Sequence, residues 1–224
     1  MIIKVLSENT TTSREFECEH GLSLYVETGK HRLLFDTGAG ELFAENAVKL
    51  GVDLSAVDIA VLSHGHHDHG GGLKPFLDKN SRAKVYMREQ AFEPHYADRP
   101  GESKAYIGLD ATLLPNERFV FCGQHQKIDE ELELFSAVRE GNSGPSGNAE
   151  LYRKSGDAFL PDDFAHEQNL VIRQNGHALL IIGCAHRGIL NIVRQFKSDN
   201  GCFPDIVMGG FHLHSRGSGR NESP

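Results

Sequence analysis

Ser63-His64-Gly65-His66-His67-Asp68-His69-Gly70-Gly71-Gly72 places four imidazoles and one carboxylate within six residues. The apolar run Asp58-Ile59-Ala60-Val61-Leu62 before it reads as a buried strand, and the glycines after it as a turn. The side chains are therefore expected where a strand ends, on a rim that solutes can reach. From an extended backbone His64 and His66 leave on the same side and can share one ion. Asp68 and His69 follow where the chain turns and can face a second ion, about 3.5–4 Å from the first as in two-metal sites. His67 is read as a pocket residue, not a ligand. A polar turn or an adventitious metal-binding tract is the plainer alternative. Such tracts have no reason to set an Asp between the histidines, follow a β-like run and end in three glycines.

An HxHxDH motif in this setting resembles the metallo-β-lactamase superfamily. The runs His20-Gly21-Leu22-Ser23, Leu34-Phe35-Asp36-Thr37-Gly38, Gly183-Cys184-Ala185-His186-Arg187-Gly188-Ile189 and Gly209-Gly210-Phe211-His212-Leu213 resemble its ribofuranosylaminobenzene 5'-phosphate synthase-like branch, over nearly the whole chain. The resemblance implies an α/β fold, a metallo-β-lactamase-like αββα sandwich. It places Asp36 beneath the metals, hydrogen-bonded to ligand histidines or main chain; on chemistry alone Asp-Thr-Gly equally suits a strand-end turn. It also implies an order of further ligands: a histidine before one strand, an acidic or cysteine residue ending the next, then a late histidine. His166, Cys184 and His212 match that order. Cys184 stands where Asp is usual, and a thiolate binds zinc well at about 2.3 Å. His186, two residues on, is the alternative ligand, with Cys184 then merely packed. His20 is expected to line the pocket, and His31, His125, His177 and His214 to take surface or packing roles. Branch members continue past the GGFHL run with more sheet, whereas 215–224 is polar and glycine-rich and cannot bury a strand. The sandwich is thus expected without its C-terminal strands.

At 224 residues the chain can form one sizeable core, and a single domain over 1–214 is expected with 215–224 as a polar tail. A net charge of −8 with no basic run argues against a nucleic-acid partner. The start Met1-Ile2-Ile3-Lys4-Val5-Leu6 is too short and strand-like for a signal peptide. No apolar run nears the roughly 18 residues of a membrane span. Cys18, Cys122, Cys184 and Cys202 are scattered without a CxxC pair, which suits a reducing, cytoplasmic setting. Nothing in the composition speaks to oligomeric state.

In chain order, 2–6, 22–27 and 32–35 read as a meander turned at Thr28-Gly29-Lys30. A helix over 41–50 closes on Gly51, a short helix spans 73–77, and a strand returns at 84–87. The span 91–161, with Pro94, Pro100, Pro115 and Pro145 and the turn-rich 140–148, reads as an irregular lid or substrate loop. His95, Tyr96, Arg99, Tyr106 and Arg118 lie in it and are as readily solvated loop residues as substrate contacts. Strands follow at 169–172, 178–182 and 205–208.

The donor set suits Zn²⁺, two ions, with Fe or Mn also compatible. The expected activity is hydrolytic: a metal-activated water attacks a small-molecule ester, lactone, thioester or phosphate-containing substrate, with Asp68 orienting the water or relaying its proton. Two alternatives stand beside it. The named branch implies a synthase that joins an aminobenzoate to a phosphoribosyl donor with loss of carboxylate and pyrophosphate; the other is metal binding without turnover. Fold and ligand set alone do not fix the bond acted on.

Overall fold

The computed structural model describes residues 1–139, 141 and 144–212; His214 and the expected tail 215–224 lie outside them. The chain opens with β1 (Ile2–Ser7), β2 (Ser23–Glu27) and β3 (Arg32–Phe35), followed by α1 (Leu42–Lys49), β4 (Ile59–Val61), a one-turn α2 (His67–Gly70), α3 (Leu73–Lys79) and β5 (Lys84–Arg88). It continues through β6 (His95–Arg99), β7 (Glu102–Tyr106), β8 (Phe119–Cys122), β9 (His125–Lys127), β10 (Leu132–Phe135), β11 (Leu151–Ser155) and β12 (Ala158–Pro161). Last come β13 (Asn169–Gln174), β14 (His177–Ile182), α4 (Ile189–Asn200) and β15 (Ile206–Gly209).

These form four layers. One sheet runs β1-β2-β3-β4-β5-β8 and the facing sheet β15-β14-β13-β10-β9. The side-chain alternation of the strands shows why. In β3, Leu34 packs with Phe43 of α1 and Phe76 of α3, while Leu33 and Phe35 face the other way, onto Leu134, Leu170 and Ile181 of the second sheet. In β14, Leu179 and Ile181 face that middle layer, and Leu180 and Ile182 pack on Ile192 and Phe196 of α4. Strands buried on both faces, one set of side chains per face, require a helix layer outside each sheet. The αββα sandwich follows.

The span 91–161 departs from expectation. It carries β6 to β12, and β12-β11-β6-β7 make a separate small antiparallel sheet. These strands are three to five residues long and largely exposed in β7 and β12. Apart from Leu132 and Leu134 of β10, which face the middle layer, they show little apolar alternation, and β6 pairs with β11 some fifty residues later, which no local pattern reports. The helix α4 was also not anticipated, although Ile189, Ile192, Val193 and Phe196 follow the helical repeat and left-handed Gly201 (φ 76°) closes it.

Outside the site, Asn80 is the main polar anchor of the first core. Its side chain is buried, donates to Leu54 O and Val57 O at 2.8 Å and accepts from Ala83 N at 2.7 Å. Asn80→Ala strands these buried groups and is expected to cost about 2–3 kcal/mol, read as a lower urea midpoint at constant m-value.

Candidate metal centre

The rim anticipated at the end of β4 is the loop Leu62–His66, and His66 caps α2 in an extended conformation (φ −93°, ψ 146°). The one-turn helix then turns His69 inward and leaves His67 exposed. On the opposite sheet, β14 ends in Gly183-Cys184-Ala185-His186. Left-handed Ala185 (φ 53°) turns the chain between the two candidate donors there. The loops meet at Gly183, where a Cβ would stand 2.2 Å from Ser63 Oγ, so only glycine permits that approach.

Three imidazoles converge from these loops. The donor atoms of His64, His66 and His186 all lie within 4.8 Å of one another. All three rings are buried, at 0 %, 4 % and 2 % exposure, and the Nε2 of each has no hydrogen-bond partner among the described residues. The opposite nitrogen of two of them is held: His64 Nδ1 by Ser63 Oγ at 2.8 Å, and His186 Nδ1 by Asn148 Oδ1 at 2.9 Å. Burial, then the neighbouring imidazoles, push both pKa values well below the ordinary range and keep the rings neutral.

A second set lies alongside. His64, His69 and Cys184 form one close group, and Cys184, His186 and His212 another, so the Cys184 thiol is common to both. His69 Nε2 is 3.1 Å from Cys184 Sγ, and its Nδ1 meets Asp36 Oδ2 at 2.7 Å. Burial opposes protonation of His69, but Cys184, Asp68 and Asp36 outweigh it and raise its pKa well above the usual value. Burial lowers His212 to about 4.

Asp36 sits beneath this set, away from the open side. Its Oδ1 accepts from Ser63 N at 2.6 Å and its Oδ2 from Ser63 Oγ at 2.7 Å, besides His69. The left-handed backbone of Asp36 (φ 56°) turns the carboxylate under the loop. Asp68 is in none of the close donor groups. Its Oδ2 lies 3.5 Å from His69 Nε2 and 3.4 Å from His20 Nε2, with 23 % of its side chain exposed. Burial pushes its carboxyl up, but His69 and then His66 outweigh it and hold it well below the usual carboxylate range. His20 is exposed beside it, at the mouth.

His166 does not join the three imidazoles. Its Nδ1 accepts from Gly65 N at 2.9 Å, and its Nε2 points at Asp162 Oδ2, 3.3 Å away. It belongs to another buried group, with His95 and Asp162, that shares His66 with the three. His95, expected either as a solvated loop residue or as a substrate contact, is fully buried. Asp162, Glu167 and Asn148 were not singled out from sequence. The one local signal was the density of Asp, His and Glu in Asp162-Asp163-Phe164-Ala165-His166-Glu167 just before the apolar strand β13, the reverse of the first motif, which follows its strand.

The donor chemistry fits divalent metal. Buried imidazole nitrogens without partners are costly, and three that face one point, with a thiol adjoining, make a nitrogen and sulfur set of the kind that holds zinc. A hydrogen bond on the far nitrogen orients such ligands.

Comparison with known proteins places the chain in a family. Residues 17–146 match the family model of the metallo-beta-lactamase superfamily. An uncharacterised protein of Methanocaldococcus jannaschii is 30% identical over 95% of this chain and 79% of its own length. The same organism's 7,8-dihydropterin-6-methyl-4-(beta-D-ribofuranosyl)-aminobenzene-5'-phosphate synthase is 26% identical over 88% of this chain and 72% of its own. Among solved structures, Tm1679, described as a metal-dependent hydrolase of the beta-lactamase superfamily, superposes with a TM-score of 0.81 at 31% identity, over 96% of this chain and 78% of that one.

Proposed function

Because the chain belongs to the metallo-beta-lactamase superfamily, we propose that it is a metal-dependent hydrolase acting on a small-molecule ester, lactone, thioester or phosphate-containing substrate. The observation that carries this is the trio of buried, unpartnered Nε2 atoms of His64, His66 and His186. These three would hold one ion; Cys184, with His69 on one side and His212 on the other, would serve a second, since the close groups of His64, His69 and Cys184 and of Cys184, His186 and His212 share the thiol. When bound, such ions supply Lewis acidity and lower the pKa of water, and zinc is the ion that the nitrogen and sulfur donors favour.

The chain's own residues do the rest. Asp68, ionised and partly open to solvent, accepts a hydrogen bond from the attacking group at Oδ2 and so orients it, with exposed His20 beside it. Asp36 and Ser63 keep His64 and His69 aimed inward. The net charge of −8 suits a small-molecule substrate better than a nucleic-acid partner, and no helix among the described residues is long and apolar enough to cross a membrane.

Chelation is expected to abolish turnover, and stoichiometric Zn²⁺ to restore it, in a panel of esters, thioesters, lactones and phosphodiesters. A metal-loaded protein that turns over none of them counts against hydrolysis. The likeness to a synthase favours a second reading, synthase-type transfer. Incubation with phosphoribosyl pyrophosphate and 4-aminobenzoate separates the two, because only transfer releases pyrophosphate. Metal uptake with neither activity leaves binding without turnover.

A further inference from the structure

We propose that Asp162–Asn169 is a brace that fixes the two donor loops against each other, with Asp162 and Glu167 as its positioning residues. The proposal rests on the reading of the donors as a metal centre. The stretch contacts both loops at successive residues. Toward the first loop, His166 Nδ1 accepts from Gly65 N, the residue between His64 and His66, at 2.9 Å. Gln168 N donates to Ser63 O at 2.8 Å and its side-chain amide to Leu62 O at 2.9 Å. Toward the second loop, the Glu167 carboxylate accepts from His186 N at 2.6 Å and Arg187 N at 3.0 Å. The Phe164 ring stacks on the His186 imidazole, centroids 4.6 Å apart and planes 4° from parallel.

Asp162 anchors the brace. Its side chain is fully buried; Oδ1 accepts from Phe164 N at 2.8 Å, and Oδ2 lies 3.3 Å from His166 Nε2 and 3.0 Å from His95 Nδ1. Phe164 has a left-handed backbone (φ 52°), which a non-glycine residue keeps only where its surroundings over-determine it.

The group of His66, His95, Asp162 and His166 invites a rival reading as another metal site. Its hydrogen bonds oppose that. With Gly65 N–H on Nδ1, His166 carries its proton on Nε2, toward Asp162, and a protonated nitrogen is no ligand. His95 Nε2 meets Gln90 O at 3.2 Å. His166 and His95 are thus satisfied within the protein, whereas among the described residues the Nε2 atoms of His64, His66 and His186 have no hydrogen-bond partner, Asp162 Oδ2 standing 3.9 Å from that of His66. A partner that orients a ligand is commonly worth 10–100-fold in metal affinity.

The test compares the wild-type chain with Asp162→Asn, Glu167→Gln and the remote Asn80→Ala, measuring Zn²⁺ affinity by chelator competition and the visible spectrum of the Co²⁺ form. Asp162→Asn and Glu167→Gln are expected to bind Zn²⁺ about 10–100-fold more weakly with altered Co²⁺ bands. Asn80→Ala is expected to unfold more readily with affinity and spectrum unchanged. Phe164→Leu, which removes the stacked ring, replaces either variant that fails to fold. Folded brace variants with wild-type affinity and spectrum overturn the proposal, as does equal weakening by Asn80→Ala. A wild-type chain that takes up no divalent ion overturns the metal-centre reading as well.

Discussion

His186→Ala is expected to lose one divalent ion per chain and to lower turnover by more than about 100-fold, beyond the 10–100-fold typical of groups that only orient a ligand. His186 Nε2 is one of three buried nitrogens that meet without a hydrogen-bond partner among the described residues, and Asn148 fixes the far side of the ring. No neighbour in that trio replaces it. His166→Ala should behave differently, retaining the ion with reduced affinity, because both its nitrogens face protein groups. Elemental analysis of the two variants after dialysis decides the matter. Retention of a full metal complement by His186→Ala, with loss in His166→Ala, would reverse the ligand assignment.

Asp36→Ala carries the largest expected cost to stability. The carboxylate is buried and holds Ser63 N, Ser63 Oγ and His69 Nδ1 at 2.6–2.7 Å. Removing one partner of a buried pair typically costs about 3–5 kcal/mol, a large share of the 5–15 kcal/mol that holds a domain together. Asp36→Asn should cost less, because Asn tolerates the left-handed backbone and keeps one acceptor. Urea unfolding of metal-free protein is the measurement, so that lost metal binding does not enter the comparison. An Asp36→Ala unfolding free energy within about 1 kcal/mol of wild type would show that the loop does not depend on this carboxylate.

Most of the sandwich was legible because its strands are doubly buried apolar runs: Leu33-Leu34-Phe35, Ile59-Ala60-Val61 and Leu179-Leu180-Ile181-Ile182 announce themselves locally. The middle span was not. Its strands are short and partly exposed, and β6 pairs with a strand far along the chain, so its order comes from contacts that no window of sequence contains. His95 illustrates the cost of that. It reads as a solvated loop residue, yet is wholly buried against Asp162.

The sequence by itself determined the donor types and the position of the early cluster, because the strand period and the HxHxDH spacing act within a few residues. Only the tertiary structure decided which distant imidazole meets His64 and His66. His166 and His186 both stand at strand borders with the same chemistry. The direction in which each ring points is set by the left-handed turn at Ala185, by Glu167 holding the backbone of His186 and by Gly65 N–H occupying His166. Those forces act between residues 19 and 101 positions apart, where a local pattern has no hold.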